Sequence, residues 1–257
     1  MTTIGGVFIT LEGGEGVGKT TQQTLLVERL RQSGYDCLCT REPGGTALGE
    51  ALRDLLLHGD LKGGRCCVAD PSVAAPVADP WSPLAELLLY AADRAEHVQK
   101  CIFPALAAGQ VVVCDRFTDS TLAYQGYGRG LDLEKIRQLN HLATGGLQPH
   151  LTLWLDLPPE VGLARTGIAD RLEQERLEFH RRVHQGFQAL AAAEPQRIVR
   201  IDADGSTTEV ADRIWSAVSR VLVSGQITMP PILRDLVKVS NSWQNQLPPE
   251  SPRRWSA

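Results

Sequence analysis

Gly13-Gly14-Glu15-Gly16-Val17-Gly18-Lys19-Thr20 is the stretch that decides the fold of this chain. It satisfies G-x-x-x-x-G-K-[ST], the pattern of a loop that cradles a phosphate in backbone N–H groups. Its glycines let the backbone turn those groups inward. The pattern has meaning only between a strand and a helix, and both are legible here. The apolar run Val7 to Leu11 precedes it and reads as a buried strand. Leu26 and Leu30 follow at helical spacing, with Gly34 as the stop. The start of that helix adds the positive end of its dipole. Lys19 is expected to reach the β- and γ-phosphates, and the Thr20 hydroxyl to ligate Mg²⁺. The expected nucleotide-binding set is Gly13, Gly14, Glu15, Gly16, Val17, Gly18, Lys19, Thr20 and Thr21.

Working outward, apolar runs alternate with helical stretches. Asp36–Thr40, Val111–Cys114, Leu151–Leu155 and Arg197–Ile201 read as four more strands. Between them, Leu48, Leu52, Leu55 and Leu56 predict a short helix. Leu84, Leu87, Leu88, Ala91, Ala95, Val98 and Ile102 predict one long helix with an apolar stripe. Leu133, Ile136 and Leu139, with Leu142 as a fourth candidate, predict another. Pro158-Pro159 opens a helix at its first turn. Val183, Phe187, Leu190 and Ala191 place a helix after the charged segment Asp170 to Arg182, and Val210 to Val221 carries the last. The alternation implies an α/β fold, with a five-stranded parallel sheet and helices on both faces. Residues 1–224 are expected to form one nucleotide-binding domain, with an inserted loop at 59–83 rich in Gly, Pro, Ala and Asp. The tail 225–257, rich in Pro, Ser and Asn, is expected to be disordered.

The chain has 257 residues, 43% hydrophobic and 22% charged, with a net charge of -4. That suits one sizeable globular core and gives no basic bias for a nucleic-acid partner. The six cysteines form no C-x-x-C pair, so the expectation is reduced structural thiols. Cys37, Cys39 and Cys114, in strand-like runs, are expected to pack as small hydrophobes. No signal pattern opens the chain and no run is long enough to span a membrane, so a cytoplasmic protein without a membrane partner is expected.

In open parallel sheets the ligand sits beyond the carboxyl ends of the strands, so the residues there matter most. Arg41-Glu42-Pro43-Gly44-Gly45 follows the second strand. Arg41 either faces a bound phosphate or is a surface arginine in a Pro-Gly-Gly turn. Tyr90 and Arg94 share a helix face and could sandwich and hydrogen-bond a flat base. An ordinary buried tyrosine beside a solvated arginine has the same spacing. Asp115-Arg116 begins a polar loop that runs through Thr121, Tyr124 and Gln125. Asp115, ending an apolar strand, either faces Mg²⁺ or is simply solvated. Residues 162–178 carry mixed charge and read as a solvated helix face or as a lid whose arginines close over a phosphate.

Taken together and in order, Glu12–Thr21, Arg41–Gly49, Ala91–Val98 and Cys114–Leu131 make the chain resemble the thymidylate kinases. The resemblance covers about Val7 to Val221 and implies a P-loop kinase fold, with 1–224 as the kinase domain, and transfer of phosphate from ATP to dTMP, with Mg²⁺, in a homodimer. It places Glu15 near the sugar and the metal, and Arg41 and Arg116 on the dTMP phosphate. Tyr90 would stack on the base and Arg94 hydrogen-bond it. Thr121 and Gln125 would neighbour the base, and Tyr124 crowd the sugar. Phe117 stands where the family often has tyrosine or histidine. Some members carry a catalytic arginine in the phosphate loop. Position 16 is glycine here, so the resemblance moves that role to the lid, onto Arg165, Arg171 or both. The expected catalytic set is Lys19, Glu15, Arg116, Arg165 and Arg171, with Thr20 and Asp115 at the metal. Two other readings stay open: a kinase for another monophosphate or a deoxynucleoside, and a nucleotide-binding switch with no small acceptor.

Overall fold

The computed structural model describes residues 6–58, 82–166, 171–173 and 175–223. The insertion is therefore outside the described residues except for Ser82 and Pro83. The tail after Ser224 lies outside them, as do positions 167–170 and 174 of the lid region.

Five strands form one parallel sheet: β1 (Val7–Glu12), β2 (Cys37–Arg41), β3 (Val111–Asp115), β4 (Leu151–Asp156) and β5 (Ile198–Asp202), in the order β2-β3-β1-β4-β5. The nine α-helical segments among the described residues are α1 (Lys19–Gln32), α2 (Ala47–His58), α3 (Pro83–His97), α4 (Phe103–Ala107), α5 (Thr118–Thr121), α6 (Leu133–Thr144), α7 (Pro159–Leu163), α8 (Leu177–Ala193) and α9 (Thr207–Val223). β1 and β4 are buried along their whole length, which is why they read as unbroken apolar runs. Side chains alternate across the sheet. Val7, Ile9 and Leu11 point into a core closed by Leu26, Leu30, Ile214 and Val218 of α1 and α9. Phe8 points the other way, among Val98, Ile102 and Leu106 of the long helix and Phe117. A third cluster joins Tyr124 and Trp154 to Phe179, Val183 and Phe187 of α8.

The strand register positions the site. Arg41 pairs with Asp115 across β2 and β3, and Leu11 pairs with Asp115 across β1 and β3. The chain turns from one side of β1 to the other between β3 and β4, so the loop after β1 stands at the switch point of the sheet.

Strand boundaries differ from the expected ones by a residue, and polar residues account for it. Glu12, Arg41, Asp115, Asp156 and Asp202 each extend a strand beyond its apolar run. The long helix is real but runs to Ala107 through a π-helical segment, Val98–Ile102. Its expected stripe is only partly inward, because Leu84 and Leu88 are 58% and 50% exposed. Leu142 is also exposed. The expected polar loop after β3 is helical instead, as α5 followed by a π-helical segment, Leu122–Gly128. Helix α8 begins at Leu177, inside the charged segment. Cys39 is exposed rather than packed, because β2 is an edge strand, whereas Cys37 and Cys114 are buried as expected.

The loop after β1 is seated by a backbone contact. A Cβ on Gly16 would lie 1.9 Å from the Gly162 carbonyl oxygen, and one on Gly162 would lie 2.2 Å from that of Glu15. Gly162→Ala therefore pushes on the phosphate loop from a position behind it. The expected cost is about 1–3 kcal/mol of stability, typical of overpacking. At roughly 2–4 °C per kcal/mol, the melting temperature should fall measurably. Because the loop is displaced, kcat/KM for the nucleotide should fall by about tenfold or more. Calorimetry and steady-state kinetics on the one variant check both.

Candidate active site

Gly18, in the left-handed region at φ 92°, hands the loop into α1. Lys19 opens that helix, and its ammonium donates to the Gly13 and Gly14 carbonyls at 3.3 and 2.6 Å. Burial, helped by the nearby Arg116, pulls the Lys19 pKa below its usual value, against the attraction of Glu15 and Asp115. One turn of chain presents the next donors. The Thr20 hydroxyl donates to Asp115 Oδ2 at 3.0 Å, while Asp115 Oδ1 is buried without a hydrogen-bond partner among the described residues. Two hard oxygen ligands meet there, one with a lone pair unclaimed. That suits a small divalent cation that keeps most of its water and phosphate ligands.

Arg116 follows β3 with φ 69°, a left-handed conformation uncommon for a side chain of this size. The turn is held from below by Glu12. Its carboxylate accepts the Phe117 N–H at 2.8 Å and the Ser120 hydroxyl. Burial, reinforced by Asp119, raises the Glu12 pKa to about 7. So held, Arg116 donates to the Gly13 carbonyl at 2.9 Å and to Glu15 at 2.7 Å. Its guanidinium lies 4.9 Å from the centre of the Tyr124 ring, and the Tyr124 hydroxyl donates to Glu15 at 2.5 Å. Burial opposes ionisation of Glu15, but Arg116, Lys19 and the Tyr124 hydroxyl together bring its pKa down to about 2.

The opposite wall comes from α3. Tyr90 and Arg94 are both buried and both line the cleft. Arg94 is pinned on four sides. It donates to Glu42 at 2.8 Å, Thr121 at 2.8 Å, Asn140 at 2.7 Å and the Phe117 carbonyl at 3.1 Å. His97 joins Glu42 to Thr40, and Asp93 accepts the Gly44 N–H at 3.0 Å. These contacts fasten the Arg41 loop to the helix. Burial, with Glu42 beside it, raises the Asp93 pKa to about 7. Arg41 is half-exposed and rests on Glu50 at 3.0 Å.

One cleft of about 810 Å³ thus gathers Glu15, Gly16, Gly18, Lys19, Thr20, Thr21, Arg41, Tyr90, Arg94, Asp115, Arg116, Thr121, Tyr124 and Gln125. Val17 is buried beneath the loop in the core. Arg165 and Arg171, the lid-region arginines expected to be catalytic, are not on the cleft wall. Arg165 is exposed beside Thr166, which is on it. Arg171 donates to Glu86 at 2.5 Å and to the Leu56 carbonyl at 2.9 Å. The supports Glu12, Glu42, Asn140 and Glu86 escaped the sequence reading. Only Glu12 carried a signal, a lone charge ending an apolar strand. Arg53, on the cleft wall, donates to the Pro43 carbonyl at 3.0 Å and was also missed.

The thymidylate kinase family model matches residues 11–65 and 77–214, so its gap, 66–76, falls inside the expected insertion. A thymidylate kinase of Synechococcus sp. (strain JA-2-3B'a(2-13)) is 80% identical over 212 residues, covering 82% of this chain and 94% of that protein. One from Gloeobacter violaceus is 51% identical, covering 86% and 98%. The crystal structure of thymidylate kinase from Ehrlichia chaffeensis aligns with a TM-score of 0.63 at 36% identity, over 83% of this chain and 99% of that one. With a family match over most of its length and a cleft built from the motifs that carry it, this chain belongs to the thymidylate kinase family.

Proposed function

We propose that the protein transfers the γ-phosphoryl group of ATP to dTMP, giving dTDP and ADP, in the synthesis of dTTP for DNA replication. The observation that carries this reading is the pairing of two unlike half-sites in one cleft. A phosphate loop with Lys19 faces a buried aromatic and arginine, Tyr90 and Arg94, across the Glu15–Arg116–Tyr124 cluster. A guanidinium has five N–H donors. Arg94 spends four on the protein, and the fifth has no acceptor among the described residues. That donor suits a base carbonyl, with Tyr90 stacked on the ring. Arg41 and Arg116 bring two cations to the acceptor side, which favours a monophosphate over a nucleoside.

The chemistry follows from charge. A phosphate oxygen of dTMP attacks the γ-phosphorus, the bond to the β-bridging oxygen breaks, and ADP carries away the electron pair. The acceptor phosphate has a second pKa of ~6 by analogy with phosphoresidues, so it needs no strong base. The protein must hold two polyanions end to end, which Lys19, Arg41 and Arg116 do. Glu15, ionised down to about pH 2, keeps Arg116 oriented throughout the working range. Thr20 and Asp115 would hold Mg²⁺, which supplies charge neutralisation on the transferring phosphates.

Arg165 and Arg171 are proposed to neutralise the transferring group. Arg171 does so only by leaving Glu86. The Gly162 backbone against Gly16 leaves no space for a side chain at position 16, which supports a lid origin. We further propose a cytoplasmic homodimer. None of the described helices is long and apolar enough to cross a membrane. Leu84 and Leu88, one turn apart and half-exposed on α3, supply an apolar surface for a second copy.

ADP release from Mg·ATP should be strongly stimulated by dTMP and not by thymidine. dUMP should act more weakly, since a missing methyl is worth only ~1–3 kcal/mol. Equal rates with and without acceptor would overturn the kinase reading. Arginine contacts to a transferring phosphoryl group are worth ~10³–10⁵ in rate. Arg165→Ala or Arg171→Ala should therefore lower kcat by a large factor, and a loss of only a few fold in both would remove the lid role. Sedimentation should give a dimer for the native chain and a monomer for Leu84→Glu/Leu88→Glu.

A further inference from the structure

Glu86, Tyr90 and Arg94 stand four residues apart on α3 and share one face. Tyr90 and Arg94 line the cleft, but Glu86 does not; it lies behind the wall with no exposed surface. A fully buried carboxylate is costly unless something holds it. Three side chains do. Gln125 donates its amide N–H to Glu86 Oε1 at 2.7 Å. Arg129 lies 3.2 Å from Oε2, and Arg171 of the lid region 2.5 Å from the same oxygen. Thr121, Gln125 and Arg129, again four apart, thus face Arg94 and Glu86 across the base pocket.

The chemistry of this contact settles which way the Gln125 amide points. A carboxylate only accepts hydrogen bonds, so the atom facing Glu86 must be the NH₂ group. Gln125 and Arg94 both line the cleft, so the Gln125 carbonyl oxygen is the acceptor and the spare N–H of Arg94 the donor that the pair can offer a base. An acceptor next to a donor matches the N3–H and C4 carbonyl of thymine or uracil. Cytosine offers the reverse, an acceptor at N3 and an amino group at C4. We infer that Glu86 is a specificity-determining positioning residue: it locks the Gln125 amide so that the pocket admits pyrimidines with an N3–H and rejects cytosine. Because Arg171 binds the same carboxylate, the lid region docks on the group that sets the base reader. This inference rests on the dTMP kinase reading and deepens it.

The test is the ratio of kcat/KM for dTMP to that for dCMP in three proteins: native, Glu86→Gln, and Glu86→Gln/Gln125→Glu. An amide at 86 can accept as well as donate, so Gln125 is free to flip. A pocket built to hydrogen-bond a substrate loses ~10-fold or more when that geometry is lost. The ratio should fall by at least that factor in Glu86→Gln, chiefly through a higher KM for dTMP. The exchange variant keeps one buried carboxylate opposite Arg129 and Arg171. It also places an acceptor-only group at position 125, so an acceptor again faces the base, and its ratio should come back to within a few fold of native. A residue that merely supports the fold would lower both substrates together and leave the ratio unchanged. An unchanged ratio in Glu86→Gln overturns the inference, as does an exchange variant that fails to prefer dTMP. Should Glu86→Gln not fold, the exchange variant decides alone. A native protein that prefers dTMP while the variants keep its ratio sinks only this inference, whereas a native protein that ignores dTMP sinks the kinase reading with it.

Discussion

Arg116 leaves β3 in a left-handed turn and lies buried between the Gly13 carbonyl and the Glu15 carboxylate. Nearly every other feature of the cleft answers to that placement. The turn needs Glu12 beneath it to accept the Phe117 N–H, and Glu12 needs burial in the end of β1 to stay there. Glu15 needs Arg116 and the Tyr124 hydroxyl to remain ionised in so dry a position. Taking charges out of water is unfavourable, and a buried pair seldom repays that by itself. The arrangement is better understood as preorganisation. Donors and charges are fixed before the phosphates arrive, so little reorganisation is left for the reaction step.

The base side is built by the same logic with different groups. Arg94 is held by Glu42, Thr121, Asn140 and a backbone carbonyl, and Glu42 is itself shared with His97. Each contact removes a direction in which the guanidinium could swing. What remains is a single N–H without an acceptor among the described residues, on a side chain that lines the cleft. In the proposed base-reading role this rigidity would serve specificity: an arginine free to turn would hydrogen-bond whichever edge a base presented.

The strands were legible because a buried parallel strand has little choice but to be apolar throughout, as in Val111-Val112-Val113-Cys114. The phosphate loop was legible because glycine, lysine and threonine at fixed spacing do one known job. The π-helical turns at Val98–Ile102 and Leu122–Gly128 were not, since an apolar or polar run carries no mark of a wider turn. Leu84 and Leu88 extended the apolar period of α3 yet face outward, because periodicity reports a face and not what covers it. The supports were hardest to find. Glu42 lies in a Pro-Gly turn, Asn140 in an ordinary helix and Glu86 two turns before Arg94. A buried carboxylate and a solvated one are spelled the same way, and only the fold brings the partner.

The contact between Gly16 and Gly162 divides the labour of the site. With the backbone of α7 pressed against the phosphate loop, no side chain at position 16 could reach a transferring phosphate. An arginine added to the charge of Lys19 would, in the proposed mechanism, come from a segment outside the loop. The one lid arginine with described side-chain contacts is Arg171, and it rests on Glu86, at the far end of the helix face that carries Tyr90 and Arg94. The group available to complete the phosphate side is therefore moored on the base side. Exchange of Arg171 between Glu86 and a phosphate requires Arg129 and Gln125 to go on satisfying that buried carboxylate. Both already touch it, so the departure that the proposed lid role demands of Arg171 would not strand a buried charge.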